Sequence, residues 1–148
     1  MYAVYEAAKK MVSGNEFIAG VVLFGSTARG EGDESSDLDL LVLWEHLDVD
    51  PRERHIYVYK AVSKFFPGKG LTVLDMEYER FLKARKATPL LLNIIWDGIV
   101  VYDKYGKLDS FILRVREELR SKGVIRKRTG KYHYWVLPKP GQKIVLEV

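Results

Sequence analysis

The sequence contains no cysteine, and this absence removes several classes of protein at once. Without thiols the chain can have no disulfide scaffold, no cysteine nucleophile and no cysteine-ligated zinc site. Disulfides are typical of oxidising, extracellular surroundings, and a chain that has none is typical of the cell interior. The composition therefore predicts a cytoplasmic protein.

Long apolar runs are also missing. A membrane-spanning helix needs roughly 18–20 consecutive apolar residues. The longest candidate, Phe17 to Phe24, is much shorter and contains Gly20, so it indicates a buried strand. The first residues, Met1 to Glu6, lack the basic stretch followed by an apolar stretch that marks a secretion signal. No association with a membrane is predicted.

Charge is distributed unevenly along the 148 residues. Residues 1–111 carry 14 Lys and Arg against 17 Asp and Glu, whereas residues 112–148 carry 10 against 3. A basic segment behind a slightly acidic body indicates either an anionic partner or a solvated surface that aids solubility. The composition leaves both interpretations open.

The periodicity of apolar residues predicts one α/β (α+β) domain in which helices flank a mixed β-sheet. A core over 1–105 is followed by an extension over 106–148, made of a helix and a basic β-hairpin of the same domain. Helices are predicted over 2–12, 50–66, 78–97 with a break at Thr88-Pro89, and 108–122. Strands are predicted over 17–24, 37–44, 71–77, 99–102, 124–128, 131–137 and 143–148.

The stretch from Val21 to Trp44 has the pattern of a phosphate and metal site. A strand that ends at Gly25-Ser26 and turns into a helix exposes backbone N–H groups, which together with the Ser26 hydroxyl suit a phosphate. Asp37 and Asp39 are two residues apart on the next strand, so their side chains share a face. Two such carboxylates can converge on one or two hard cations, and Mg²⁺ prefers oxygen ligands of this kind.

Asp75 is the candidate for a third carboxylate, because it interrupts an apolar strand pattern. If that strand lies beside the strand of Asp37 and Asp39, three acids could hold two cations about 3.5–4 Å apart. Such a carboxylate could also accept a proton from an attacking hydroxyl. Glu77 shares a face with Asp75 and is the alternative; an exposed strand acid with no role in the site is another.

Gly25-Ser26, ten residues, then Asp37-x-Asp39, with Ala28-Arg29-Gly30 between them, resembles the signature of the DNA polymerase β-type nucleotidyltransferase superfamily. The resemblance is closest to its small stand-alone members, the minimal nucleotidyltransferases of archaea and bacteria. It covers residues 21–44, and with Asp75 it extends to about residue 77. The resemblance implies a mixed-sheet nucleotidyltransferase fold.

The resemblance also implies roles for single residues. Asp37, Asp39 and Asp75 would bind two Mg²⁺ ions, and Gly25 and Ser26 would hold the phosphates of an NTP, with ATP the expected one. Secondary phosphate contacts would be made by Arg29, which could instead pair with a nearby acid, and by Ser36, which could instead be only a turn residue.

The implied reaction transfers a nucleoside monophosphate, here AMP, to a hydroxyl with release of pyrophosphate. In several minimal members the acceptor is a tyrosine of a helical HEPN-type partner in a toxin–antitoxin pair. A second hypothesis is a non-catalytic binding module, either an antitoxin-like partner or a nucleic-acid binder that uses the basic hairpin. In that hairpin, the mixture of basic and aromatic residues from Arg126 to Trp135 suits phosphates and bases. Tyr134 or Trp135 could equally pack into the core.

Overall fold

A computed structural model describes residues 2–33, 35–139, 141 and 145–146 of the chain. The elements follow the predicted order, and most boundaries lie within a few residues of the predicted ones. In chain order they are α1 (Tyr2–Gly14), β1 (Ile18–Phe24), α2 (Gly25–Ala28), β2 (Leu38–Trp44), α3 (Pro51–Ser63), β3 (Leu71–Glu77), α4 (Tyr78–Leu82), α5 (Pro89–Asp97), β4 (Ile99–Asp103), α6 (Leu108–Ser121), β5 (Ile125–Thr129) and β6 (Tyr132–Val136).

The main sheet has the strand order β3-β2-β1-β4. Strand β1 is antiparallel to both β2 and β4, whereas β2 and β3 are parallel, so the predicted mixed sheet is confirmed. All seven residues of β1 are buried, because this central strand is covered on both faces. Parallel pairing needs a crossover connection between the strands, and α3 supplies it between β2 and β3.

Helices cover the two faces of the sheet and divide the core into two clusters. On one face, α1 and α3 bury Met11, Val58 and Val62 against strand residues that include Leu40 and Val42. The other face is covered by α4, α5 and α6, whose buried side chains pack against Leu41 and Leu43. Successive residues of β2 therefore enter opposite clusters, as side chains of a strand must. The residues that form this second helical layer are Tyr78, Phe81, Leu91, Leu92, Ile94, Ile95, Leu108, Phe111, Ile112, Val115 and Leu119.

The predicted break within residues 78–97 is confirmed and has a local cause. Residues 78–82 form the short helix α4, and α5 begins only after Thr88. The Thr88 side chain accepts a hydrogen bond from the Leu91 N–H, and Pro89 occupies the first turn, where it has no intrahelical donor to lose. This cap sets the start of α5. The structure differs from the prediction at residues 83–87, which are not helical.

The C-terminal hairpin of β5 and β6 is a separate two-stranded sheet, as predicted. Trp135 packs edge-on against Trp96 of α5 and donates a hydrogen bond to the Asn93 side chain. Tyr134, by contrast, is 46% exposed. Of the predicted last strand over 143–148, Val145 forms a single β-bridge with Lys86, and residues 143, 144, 147 and 148 lie outside the described residues.

Over the residues described here, no helix is both long enough and apolar enough to cross a membrane.

Candidate active site

The corner between β1 and α2 lies directly against a carboxylate. Gly25 has a left-handed φ of 76°, which glycine adopts without strain. A Cβ atom added there would overlap Oδ2 of Asp39, so a side chain at this position would collide with the carboxylate. The turn is closed by hydrogen bonds from the Arg29 N–H to the Gly25 carbonyl (3.2 Å) and from the Glu31 N–H to the Ser26 carbonyl (2.9 Å). Backbone and carboxylate are therefore adjacent at this corner.

Asp39 is the second residue of β2, and Asp37 immediately precedes the strand, so the two side chains are two residues apart and share a face. Leu38 and Leu40, between and after them, are buried in the opposite cluster. Asp37 is exposed and Asp39 is half-buried. Gly70 lies against Asp37 as Gly25 lies against Asp39, since a Cβ atom on Gly70 would overlap Oδ1 of Asp37. The structure therefore brings the predicted pair together, with one glycine against each carboxylate.

The electrostatics of the pair favour a cation. Burial raises the pKa of Asp39 above its ordinary value, and the negative charge of Asp37 raises it further. A hydrogen bond from Thr72 and the positive charge of Arg29 act in the opposite direction on the same pKa. A bound cation would relieve the repulsion between two like charges in a partly desolvated place and would favour the ionised form of Asp39.

The predicted cluster of three carboxylates is wrong, because Asp75 lies away from the pair. In the parallel ladder of β2 and β3, Thr72 is opposite Asp39, and Asp75 is opposite Val42. Side chains alternate between the faces of a strand, so three residues of separation put Asp75 on the other face, roughly 10 Å further along. The strands are neighbours as the prediction required, but their register separates the acids.

Asp75 has local partners of its own. Its carboxylate accepts a hydrogen bond from the Trp44 indole (3.2 Å) and lies 3.2 Å from Nδ1 of His55 on α3. Glu77, the alternative third acid, is on the same face as Asp75 and still further from the pair, opposite Trp44. Within the described part of the chain, no group of three or more His, Asp or Glu is placed to hold a metal ion.

Arg29 is held beside the site by two acids. Its Nε donates to Glu31 (3.0 Å), one of the pairings that the sequence allowed, and its Nη1 donates to Asp97 (2.9 Å) at the end of α5. Asp97 is a site residue that sequence reasoning missed, although it is the single charged residue of a largely apolar helix. Its side chain is only 5% exposed.

The basic hairpin completes this network. Arg126 of β5 binds Asp97 in a bidentate pair, with Nη1–Oδ2 and Nη2–Oδ1 distances of 2.8 and 2.7 Å. Arg128 donates to Glu31 at 2.8 Å. Two of the three basic side chains at 126–128 are therefore paired with acids of this same chain. Through Asp97 and Glu31, both of which also bind Arg29, these ion pairs hold the hairpin against the segment that contains Arg29.

Ser36 takes part in the turn before β2. Its hydroxyl accepts a hydrogen bond from the Asp33 N–H (3.0 Å) and donates one to the Asp33 carboxylate (3.3 Å). These contacts agree with a turn residue and position the chain that leads into Asp37. A phosphate contact by Ser36 stays a prediction.

Comparison with known proteins identifies the family. Residues 6–106, about two thirds of the chain, match the family model described as polymerase beta, nucleotidyltransferase. The chain belongs to this nucleotidyltransferase family. A protein of Methanocaldococcus jannaschii, named as a candidate protein adenylyltransferase, is 30% identical over 108 residues, which are 72% of this chain and 73% of that protein.

Solved structures show the same fold. A toxin–antitoxin complex with AMP-PNP contains a chain that matches at a TM-score of 0.51, with 18% identity over 79% of this chain and 87% of that one. A double Asp-to-Glu mutant of the toxin–antitoxin pair MntA–HpeT matches at a TM-score of 0.51 with 16% identity and the same coverage. At these identities the similarity establishes the nucleotidyltransferase fold.

Proposed function

We propose that this chain transfers AMP from ATP to a hydroxyl group of a partner protein. The acceptor oxygen attacks the α-phosphorus of ATP. The bond between that phosphorus and the oxygen shared with the β-phosphate breaks, so pyrophosphate leaves. The proton of the acceptor hydroxyl passes to water. The observation that carries the proposal is the contact between Gly25 and Asp39, because it puts a backbone corner with no side chain directly beside a carboxylate. The relative named for adenylyl transfer to protein supports AMP and a protein acceptor.

Nucleotidyltransferases of this type generally use a divalent metal ion. The residues of this chain fit Mg²⁺, because Asp37 and Asp39 offer hard oxygen ligands. Burial, and then the negative charge of Asp37, raise the pKa of Asp39, and a bound cation would offset both effects. When bound, such an ion neutralises charge on the triphosphate and on the leaving pyrophosphate. The sequence-based expectation of two ions included Asp75 as a third ligand, and the register of β2 and β3 separates Asp75 from this pair.

The remaining residues bind and orient the nucleotide in this proposal. The backbone at Gly25 and the Ser26 hydroxyl receive the phosphates, as neutral donors beside negatively charged oxygens. Arg29 supplies a positive charge near Asp39, and its position is held by Glu31 and Asp97. Residues 1–105 form the catalytic core, and 106–148 form the extension that holds Arg29 through the hairpin.

For the acceptor we propose a tyrosine of a helical HEPN-type partner, as in a cytoplasmic toxin–antitoxin pair. The family resemblance of the Gly25-Ser26 and Asp37-x-Asp39 signature supports this choice. A role in binding nucleic acid through the hairpin is less well supported, because Arg126 and Arg128 already pair with Asp97 and Glu31.

The test uses the purified chain with ATP labelled at the α-phosphate, Mg²⁺, and a helical partner encoded beside its gene. We expect label on the partner, loss of labelling in EDTA, and loss in Asp37→Asn and Asp39→Asn. Asp75→Asn is the matched control, since it removes an acid of the same sheet on the opposite face and should leave transfer intact. Transfer that persists in Asp39→Asn, or that Asp75→Asn abolishes, would contradict the proposed site.

A further inference from the structure

The strands on either side of Asp37 and Asp39 are β1 and β3. On the side of β1, Phe24 is opposite Asp39, and the Gly25 corner that follows Phe24 has no side chain. On the side of β3, the positions that share the face of the pair and lie level with it are Gly70 and Thr72. The described positions of β1 and β3 that flank the pair therefore include no third acid.

Thr72 occupies the position from which a third carboxylate would reach the pair. It is directly opposite Asp39 in the parallel ladder, where side chains of neighbouring strands lie on the same face. Its hydroxyl donates a hydrogen bond to the Asp39 carboxylate, so the two side chains are in contact. Thr72 is also exposed. A change at this position therefore acts on the site and not on the core.

From this arrangement we propose that the chain holds a single divalent ion, the one that accompanies the ATP triphosphate, because Thr72 stands where a second ion would need an acidic ligand. The inference rests on the proposed function, since it assumes that Asp37 and Asp39 bind the metal of the nucleotide. It concerns how many ions the site accepts and which residue sets that number.

The ligand chemistry explains why one ion suits this site. Mg²⁺ is commonly bound by one or two carboxylates together with substrate phosphates and waters, and Asp37 and Asp39 supply that number. A second ion about 3.5–4 Å away would face the first without an additional negative ligand. Two doubly charged ions so close together repel strongly, and a neutral threonine hydroxyl does not offset that repulsion.

The proposal is tested by counting Mn²⁺, which replaces Mg²⁺ and is visible by electron paramagnetic resonance. The chain is saturated with an ATP analogue that has a methylene group between the α- and β-phosphates, so that transfer cannot occur. The bound ions per bound nucleotide are measured by equilibrium dialysis. We expect one ion in the wild type and two in Thr72→Asp. Thr72→Asn is the matched control, with nearly the shape of aspartate but no charge, and should keep one ion.

Melting temperature gives an independent readout on the same variants. Without metal, Thr72→Asp adds a negative charge beside Asp39 and should melt at a lower temperature than Thr72→Asn. With Mn²⁺ and the analogue its melting temperature should rise more than that of Thr72→Asn, because binding to the native state alone stabilises it. Both variants should fold, since Thr72 is exposed.

The outcomes separate this inference from the function on which it rests. One ion in the wild type and a second only in Thr72→Asp support it. Two ions in the wild type, or a count that Thr72→Asp leaves at one, overturn the role of Thr72 and leave the proposed function standing. No ion bound with the nucleotide in the wild type overturns the proposed function itself.

Discussion

The pair between Arg126 and Asp97 gives the sharpest quantitative prediction. Asp97 is 5% exposed and Arg126 is 11% exposed, and the two make two hydrogen bonds of 2.7 and 2.8 Å. Arg126→Met keeps most of the apolar stem and removes the guanidinium, so that a buried carboxylate loses its main partner. The same change unfastens the hairpin from the segment that contains Arg29.

The expected cost follows from the burial. Removing one partner of a buried ion pair costs about 3–5 kcal/mol, because the remaining charge is left uncompensated in a low-dielectric place. Arg29 still donates to Asp97 at 2.9 Å, so the lower end of that range, about 3 kcal/mol, is expected. In a domain of this size that corresponds to a melting temperature lower by roughly 6–12 °C.

The assay is urea unfolding, followed by circular dichroism, of Arg126→Met and of Lys127→Met as the matched control. Lys127 is the next residue of β5 and is exposed, so the control removes the same charge from the same strand at a cost within about 0.5 kcal/mol. Combining Arg126→Met with Asp97→Asn should recover part of the loss, since the uncompensated charge is then gone. Equal losses in Arg126→Met and Lys127→Met would refute the buried pair.

Three further predictions concern the sheet and its glycine corner. Gly25→Ala should abolish metal-dependent nucleotide binding in calorimetry, whereas Gly30→Ala should retain it, because Gly30 has the same left-handed φ (75°) but nothing within 4 Å of an added Cβ; equal losses would contradict the steric argument. Burial raises the pKa of Asp39, so the metal-free protein loses stability as the pH rises through that pKa. Asp39→Asn should therefore melt higher than the wild type in EDTA at neutral pH but not at acid pH, and an unchanged neutral-pH melting temperature would count against it. Asp75→Asn should lower the free energy of unfolding by about 1 kcal/mol, because the hydrogen bonds with Trp44 and His55 become weaker. The affinity for Mg²⁺ should stay the same; a change in that affinity would show that Asp75 belongs to the metal site.

Features that depend on a few consecutive residues could be predicted from the sequence. Asp37 and Asp39 share a face because side chains alternate along any strand, whatever the strand packs against. The Gly25 turn and the cap at Thr88 likewise depend on local backbone preferences. The fold class could be predicted from apolar periodicity. This periodicity indicates which face of each helix or strand is buried, but it does not indicate which other element packs against that face.

The position of Asp75 relative to the pair depends on the register between two strands that are joined by a loop and a helix. A shift of one residue in that register moves every side chain to the other face, and no local pattern near Asp75 reports it. The sequence therefore could predict that β3 carries an acid, but only the ladder shows that Thr72 lies opposite Asp39.

The network of ion pairs around Arg29 also depends on contacts between residues that are far apart in the sequence. By itself the sequence determined the turn at Gly25, the pair of acids Asp37 and Asp39, and the existence of a basic hairpin, because each of these features depends on residues that are close together in the chain. The tertiary structure alone decided that Asp97, 68 residues from Arg29, and Arg126, 29 residues beyond Asp97, meet beside that turn. Ion pairs between distant segments arise only when packing of the helices and the sheet brings those segments together, and that packing is a property of the whole chain.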